Sequence, residues 1–162
     1  MINIIFGLTA LLIIIVDQVT KYIVSSHLAL NQSTWEMGFF RIQLVHNSGA
    51  AFGMFQNGLL PLIVIRIVGA IVVICLFAFM GKRIKAWGGT LAIVALGLVL
   101  GGTIGNLIDA IRLGYVVDFL AFNYWPNFNV SDSSVVIAAF IFAFLLLRMA
   151  RSQSSKPEQP EQ

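Results

Sequence analysis

Apolar positions in this chain gather into blocks. Four of them, at 2–24, 59–80, 87–108 and 133–147, reach or approach the roughly 20 residues that a helix needs to cross a bilayer. The pattern predicts an all-α membrane protein of four transmembrane helices. These form a single domain over residues 1–150, which leaves too little chain for a second. A different period appears between the first two blocks, where Phe40, Ile42 and Leu44 alternate with Arg41, Gln43 and Val45. Period-2 alternation predicts a short strand with one apolar face. Trp35, Phe39, Phe52 and Phe55 surround it, so residues 25–58 read as a small β-containing lid and cradle at the membrane–water boundary, where a plain aromatic belt accounts for the rings equally well. The tail 151–162, rich in Ser, Gln, Pro and Glu, is expected to be disordered because it cannot bury enough apolar surface to fold.

Composition agrees with the blocks: 59% of the 162 residues are hydrophobic and 10% charged, with a mean hydropathy of +0.92. The first block has no basic residue ahead of it and no clear small-x-small cleavage site, so it is expected to stay as a helix. Lys82, Arg83 and Lys85 fill a short link between the second and third blocks, and Arg148, Arg151 and Lys156 follow the fourth. The positive-inside rule sets both on the cytoplasmic side, and both termini with them. A net charge of +3 is spread through loops with no helical stripe, so nucleic acid is not an expected partner. One cysteine (Cys75) and two histidines (His27, His46) cannot assemble a zinc ligand set; neither a metal nor another cofactor is expected.

Candidate chemistry lies in the acids. Asp17, Asp109, Asp118 and Asp132 are the only aspartates, and each borders an apolar block, where a charge costs on the order of 2.5–3.5 kcal/mol to insert. The topology gathers all four at the outer interface. Asp17 and Lys21, four apart in the favourable order, share a helix face as a structural ion pair or something more. Gly97, Gly101 and Gly105 recur every fourth residue and predict a groove for a neighbouring helix. Asn106 and Asp109 follow one turn on, either closing the helix end or serving a site. The run His46-Asn47-Ser48-Gly49-Ala50-Ala51-Phe52-Gly53 reads as a bare turn or as a place where another backbone approaches closely. Asp132 has an ordinary alternative as a helix cap; Asp118, in Val116-Val117-Asp118-Phe119, has none. If these two carboxyls meet, repulsion and desolvation leave one shared proton, as peptide hydrolysis requires. No G-x-S-x-G, phosphate-binding glycine loop or H-E-x-x-H pattern offers other machinery.

Five blocks in order resemble lipoprotein signal peptidase, signal peptidase II, the bacterial membrane aspartic protease. They are Asp17-Gln18-Val19-Thr20-Lys21, Asn47-Ser48-Gly49-Ala50-Ala51-Phe52, Gly101 to Asp109, Val116-Val117-Asp118-Phe119 and Trp125 to Ser133. The resemblance implies an active site at the outer face of the bacterial inner membrane, with Asp118 and Asp132 as the catalytic pair. It implies substrate contacts at Asn47, Gly49, Asn106 and Asn129, and support of the site by Asp17, Lys21 and Asp109. Implied partners are diacylglyceryl-prolipoproteins cut before the lipidated cysteine, membrane lipid and globomycin-type inhibitors, with the protein a monomer. Two positions depart from the pattern: Ala110 stands where the family usually has Arg after the acid, the nearest basic residue there being Arg112, and Ser131 stands where Ala is usual. A non-catalytic binder of lipidated chains and a small proton-coupled carrier are the alternatives; a carrier would be expected to show paired repeats with broken helices.

Overall fold

The computed structural model describes residues 1–48 and 60–154. It is mostly helical, with a small antiparallel sheet, and runs α1 (Ile2–His27), β1 (Ser33–Met37), β2 (Phe40–Asn47), α2 (Leu60–Leu113), β3 (Val116–Phe122), β4 (Trp125–Phe128) and α3 (Val130–Ser154). All three helices are long and apolar enough to cross a membrane. Their outward faces are apolar: Ile4, Leu8, Leu11 and Ile15 on α1, and Val136, Phe140, Phe144 and Leu147 on α3, are all exposed. Asp17 and Lys21 on α1 are buried instead, an inside-out distribution that suits hydrocarbon as solvent.

α2 differs from the expected pair of helices joined by a loop. At 54 residues and 1.5 Å per residue it would span about 80 Å if straight, but its backbone is non-helical at Gly89, with φ 66° and ψ −157°. The two arms fold back on each other: Ala70 and Val73 of the first share a core cluster with Ile93, Leu96 and Leu100 of the second, and a Cβ on Gly69 would lie 3.7 Å from the Thr103 methyl. The basic residues Lys82, Arg83 and Lys85 are helical rather than loop, since Lys and Arg are good helix formers and nothing breaks the helix before the Gly88-Gly89 pair.

The glycine groove receives α1. A Cβ at Gly97 would meet Thr9 and the Phe6 carbonyl, and one at Gly101 would stand 2.7 Å from the Ala10 carbonyl oxygen and 2.8 Å from Ile13 Cβ. Phe6 of α1 also stacks on Phe77 of α2, ring centroids 3.9 Å apart.

The sheet has the order β1-β2-β3-β4. The alternating 40–45 segment is part of β2, as its periodicity predicts; the other three strands were not apparent in the pattern. Residues 116–122 read as one apolar run because β3 packs on α1 and α2 and is buried at nearly every position. α3 extends to Ser154, beyond the expected end of the block at 147; residues 155–162 lie outside the described residues.

Candidate active site

The site grows from a buried cation. Lys21, only 3% exposed, places Nζ 2.8 Å from Asp17 Oδ2 and 2.9 Å from Asp109 Oδ2, and donates a hydrogen bond of 2.8 Å to Asn106 Oδ1. An ammonium has three protons, and these three acceptors use them all. The two acids then reach onward. Asp17 Oδ1 accepts from the Ser131 backbone N–H at 2.9 Å, fixing the start of α3 to α1. Asp109 Oδ2 accepts from the Val117 N–H at 3.1 Å, fixing the start of β3 to α2. Gln18 Nε2 donates to Asp109 Oδ1 at 2.9 Å and to the Gly105 carbonyl at 3.2 Å. A Cβ on Gly105 would intrude on Asp17 and Ser131, so this last glycine of the groove makes room for the network.

Lys21 also sets the polarity of the next layer. Because Asn106 Oδ1 accepts from Lys21, its Nδ2 must point away, and it donates to Asp132 Oδ1 at 2.8 Å. Asn129 completes the layer. Its Nδ2 donates to Asp118 Oδ1 at 2.7 Å, Asn106 Oδ1 at 3.0 Å and the Val117 carbonyl at 3.2 Å. Its Oδ1 accepts from the Asp132 N–H at 3.0 Å, and its own N–H donates to Asp132 Oδ2 at 3.3 Å. That reciprocal pair is a capping box. The cap of α3 is Asn129, three residues ahead of Asp132, and Asp132 answers it from the first turn.

Asp118 and Asp132 are therefore both bonded to Asn129, one through its side chain and the other through its backbone and carboxamide oxygen. Asn47, at the end of β2, donates to Asp118 Oδ2 at 2.8 Å. In the sheet Val45 lies opposite Asp118, next to a register shift between Ile42 and Val45. Burial pushes the Asp118 carboxyl, 1% exposed, up to about 6; the Asn47 hydrogen bond opposes that rise and the nearby Asp132 charge adds to it. A cleft of about 220 Å³ opens against Asp118, lined also by His46, Asn47, Ser48, Pro126 and Asn127.

The structure thus brings together Asp17, Lys21, Asn47, Asn106, Asp109, Asp118, Asn129 and Asp132; Gly49 lies outside the described residues. Ala110 is fully buried. Arg112 is exposed and lines a second cavity with Gln18, Lys21, Tyr22, Ser25 and Asp109, separate from the cleft at Asp118. Arg66, which the sequence did not single out, is the lone charge between Leu60 and Gly81 of α2; it is half-buried and its charge is attracted by Asp132, Asp118 and Asp109. Among the described residues no group of three or more His, Cys, Asp or Glu is placed to hold a metal ion.

Residues 9–148 match the family described as signal peptidase (SPase) II. A lipoprotein signal peptidase of Dehalococcoides mccartyi is 40% identical over 142 residues, covering 88% of this chain and 87% of that one. Another from Moorella thermoacetica is 37% identical over 153 residues, covering 94% and 99%. A solved bacterial membrane enzyme superposes with a TM-score of 0.76 at 31% identity, covering 96% of this chain and 93% of its own.

Proposed function

The chain belongs to the signal peptidase II family, whose members remove signal peptides from prolipoproteins, and we propose that in it Asp118 and Asp132 form an aspartic peptidase pair. The observation that carries this reading is their common hold on Asn129: two carboxyls kept close together in a largely buried setting cannot both ionise cheaply and share a proton. The ionised one takes a proton from water as that water attacks the scissile carbonyl. The protonated one polarises the carbonyl and then protonates the leaving amine. Asn47, Asn106 and Asn129 orient the pair and meet the substrate, joined in that by Gly49; Lys21, Asp17 and Asp109 anchor the elements that carry them.

The substrate is a diacylglyceryl-modified prolipoprotein cut before its lipidated cysteine. The two antiparallel arms of α2, with α1 and α3, make four crossings of the bacterial inner membrane, with both termini cytoplasmic and the sheet and acid pair at the outer face. The protein acts as a monomer and is open to globomycin-type inhibitors. Incubating the purified protein with a diacylglyceryl-prolipoprotein, with and without globomycin, tests this: we expect cleavage that globomycin stops and that Asp118→Asn and Asp132→Asn each reduce at least about 1,000-fold. Full turnover by either variant overturns the assignment. The buried Ala110, where a cation is usual, favours the second reading, a binder of lipidated chains, which predicts capture of the same substrate with no cleavage.

A further inference from the structure

One charged side chain inside the helical bundle has no part in the network around Lys21. Arg66 lies on the face of the first α2 arm that also carries Gly69, Ala70 and Val73, at spacings of three, four and seven. Ala70 and Val73 are buried in the core, and Gly69 meets Thr103 of the antiparallel second arm. One turn from Gly69 toward the sheet, Arg66 therefore stands level with Asn106, the residue that donates to Asp132. Its charge is attracted by three carboxylates carried on three elements: Asp132 of α3, Asp118 of β3 and Asp109 of α2. Yet among the described residues the guanidinium makes no ion pair and donates no hydrogen bond. A half-buried cation with five fixed N–H donors, always charged, is costly to keep unless something satisfies it.

The other cation here cannot serve an incoming peptide, because all three protons of Lys21 are committed to Asp17, Asp109 and Asn106. Ala110 has no side-chain donor, and the exposed Arg112 lines the cavity beside Lys21 and Asp109, not the cleft at Asp118. A peptide drawn to the acid pair brings carbonyl acceptors and no side-chain requirement, which suits a guanidinium fork.

We propose that Arg66 is a substrate-binding residue of the peptidase: its guanidinium donates to a backbone carbonyl of the bound signal peptide next to the scissile bond, and its charge holds the acid pair in the singly ionised state. The inference rests on the Asp118–Asp132 reading. The groups facing that pair are Lys21 from α1, Arg66, Asn106 and Asp109 from the two arms of α2, His46 and Asn47 from β2, and Asn129 ahead of α3.

The test compares Arg66→Met and Arg66→Lys with the unaltered protein, using a diacylglyceryl-prolipoprotein across a pH series, with thermal unfolding as a check on folding. Arg66→Met is expected to lose about 100-fold in kcat/KM, the usual effect of removing one aimed donor, and to move the acidic limb of its pH–rate profile upward, because removing a positive charge makes the ionised pair harder to form. Arg66→Lys keeps the charge but not the fork: its limb should stay in place while KM rises. Should Arg66→Met unfold, Arg66→Lys still decides, since an unchanged KM there overturns the donor role. Ordinary kcat/KM in Arg66→Met, or a lowered melting temperature with an unmoved limb, also overturns the proposal. An Asp118→Asn control separates the two readings: if it cleaves, the acid pair has failed; if it is inactive while Arg66→Met works normally, only the role of Arg66 has.

Discussion

Asp118 combines the two demands on a working acid, burial and partial protonation near neutral pH. Its folded pKa, about 6 against an ordinary 3.8, means that the folded protein holds a proton the unfolded chain gives up. The stabilising effect is complete below the unfolded value and is lost as pH rises through the folded one. Asp118→Asn cannot titrate there, so its stability relative to the unaltered protein should improve as pH climbs from about 4 past 6, by up to about 3 kcal/mol. Thermal unfolding of both proteins over that range reads the difference directly, and a gap that stays flat with pH contradicts it. Lys21→Met has the opposite character. It strands the buried carboxylates of Asp17 and Asp109 without their cation, which is expected to cost about 3–5 kcal/mol; a melting temperature close to that of the unaltered protein argues against the buried network.

Among the elements, the two glycines that matter most act in different ways. At Gly101 there is no room for a side chain between α2 and the Ala10 carbonyl, so Gly101→Ala should push α1 away and cost about 1–3 kcal/mol by overpacking. At Gly89 there is room, since a Cβ there meets nothing within 4 Å, but the backbone occupies a region that L-residues avoid. Gly89→Ala should also cost about 1–3 kcal/mol, through strain alone. Unfolding in detergent checks both; because Gly89 is remote from the acids, its variant should keep its pH–rate profile. The elements also show what the sequence made legible. The apolar blocks marked the helices, the four-residue glycine spacing marked the α1 groove, and the spacing of Asp17 and Lys21 marked their ion pair. β3 stayed hidden because a strand buried on both faces has no alternation to detect. The turn between the arms was expected at the basic residues, which instead prolong the helix to Gly89. Arg66 was missed because its electrostatic partners lie dozens of residues away in sequence, where local spacing gives no signal.

At the scale of the whole molecule, the proposed topology separates the basic stretch 82–85 from the sheet by the full thickness of the bilayer. In a chain whose exposed Cys75 is first replaced by Ala, a single cysteine at the fully exposed Tyr124 should react with a membrane-impermeant maleimide in intact cells, and one at Lys85 only after permeabilisation. The reverse pattern would invert the orientation while leaving the clustering of acids untouched. The capping box at Asn129 and Asp132 links chemistry to architecture in a further way. Asp132, one of the proposed catalytic pair, also latches the first turn of the last helix, a contact typically worth about 1 kcal/mol. A lineage drifting toward a silent, non-cutting descendant by trading that acid for an apolar residue would loosen its own scaffold in the same step, so loss of activity carries a mechanical penalty that selection can act on even when no substrate is present.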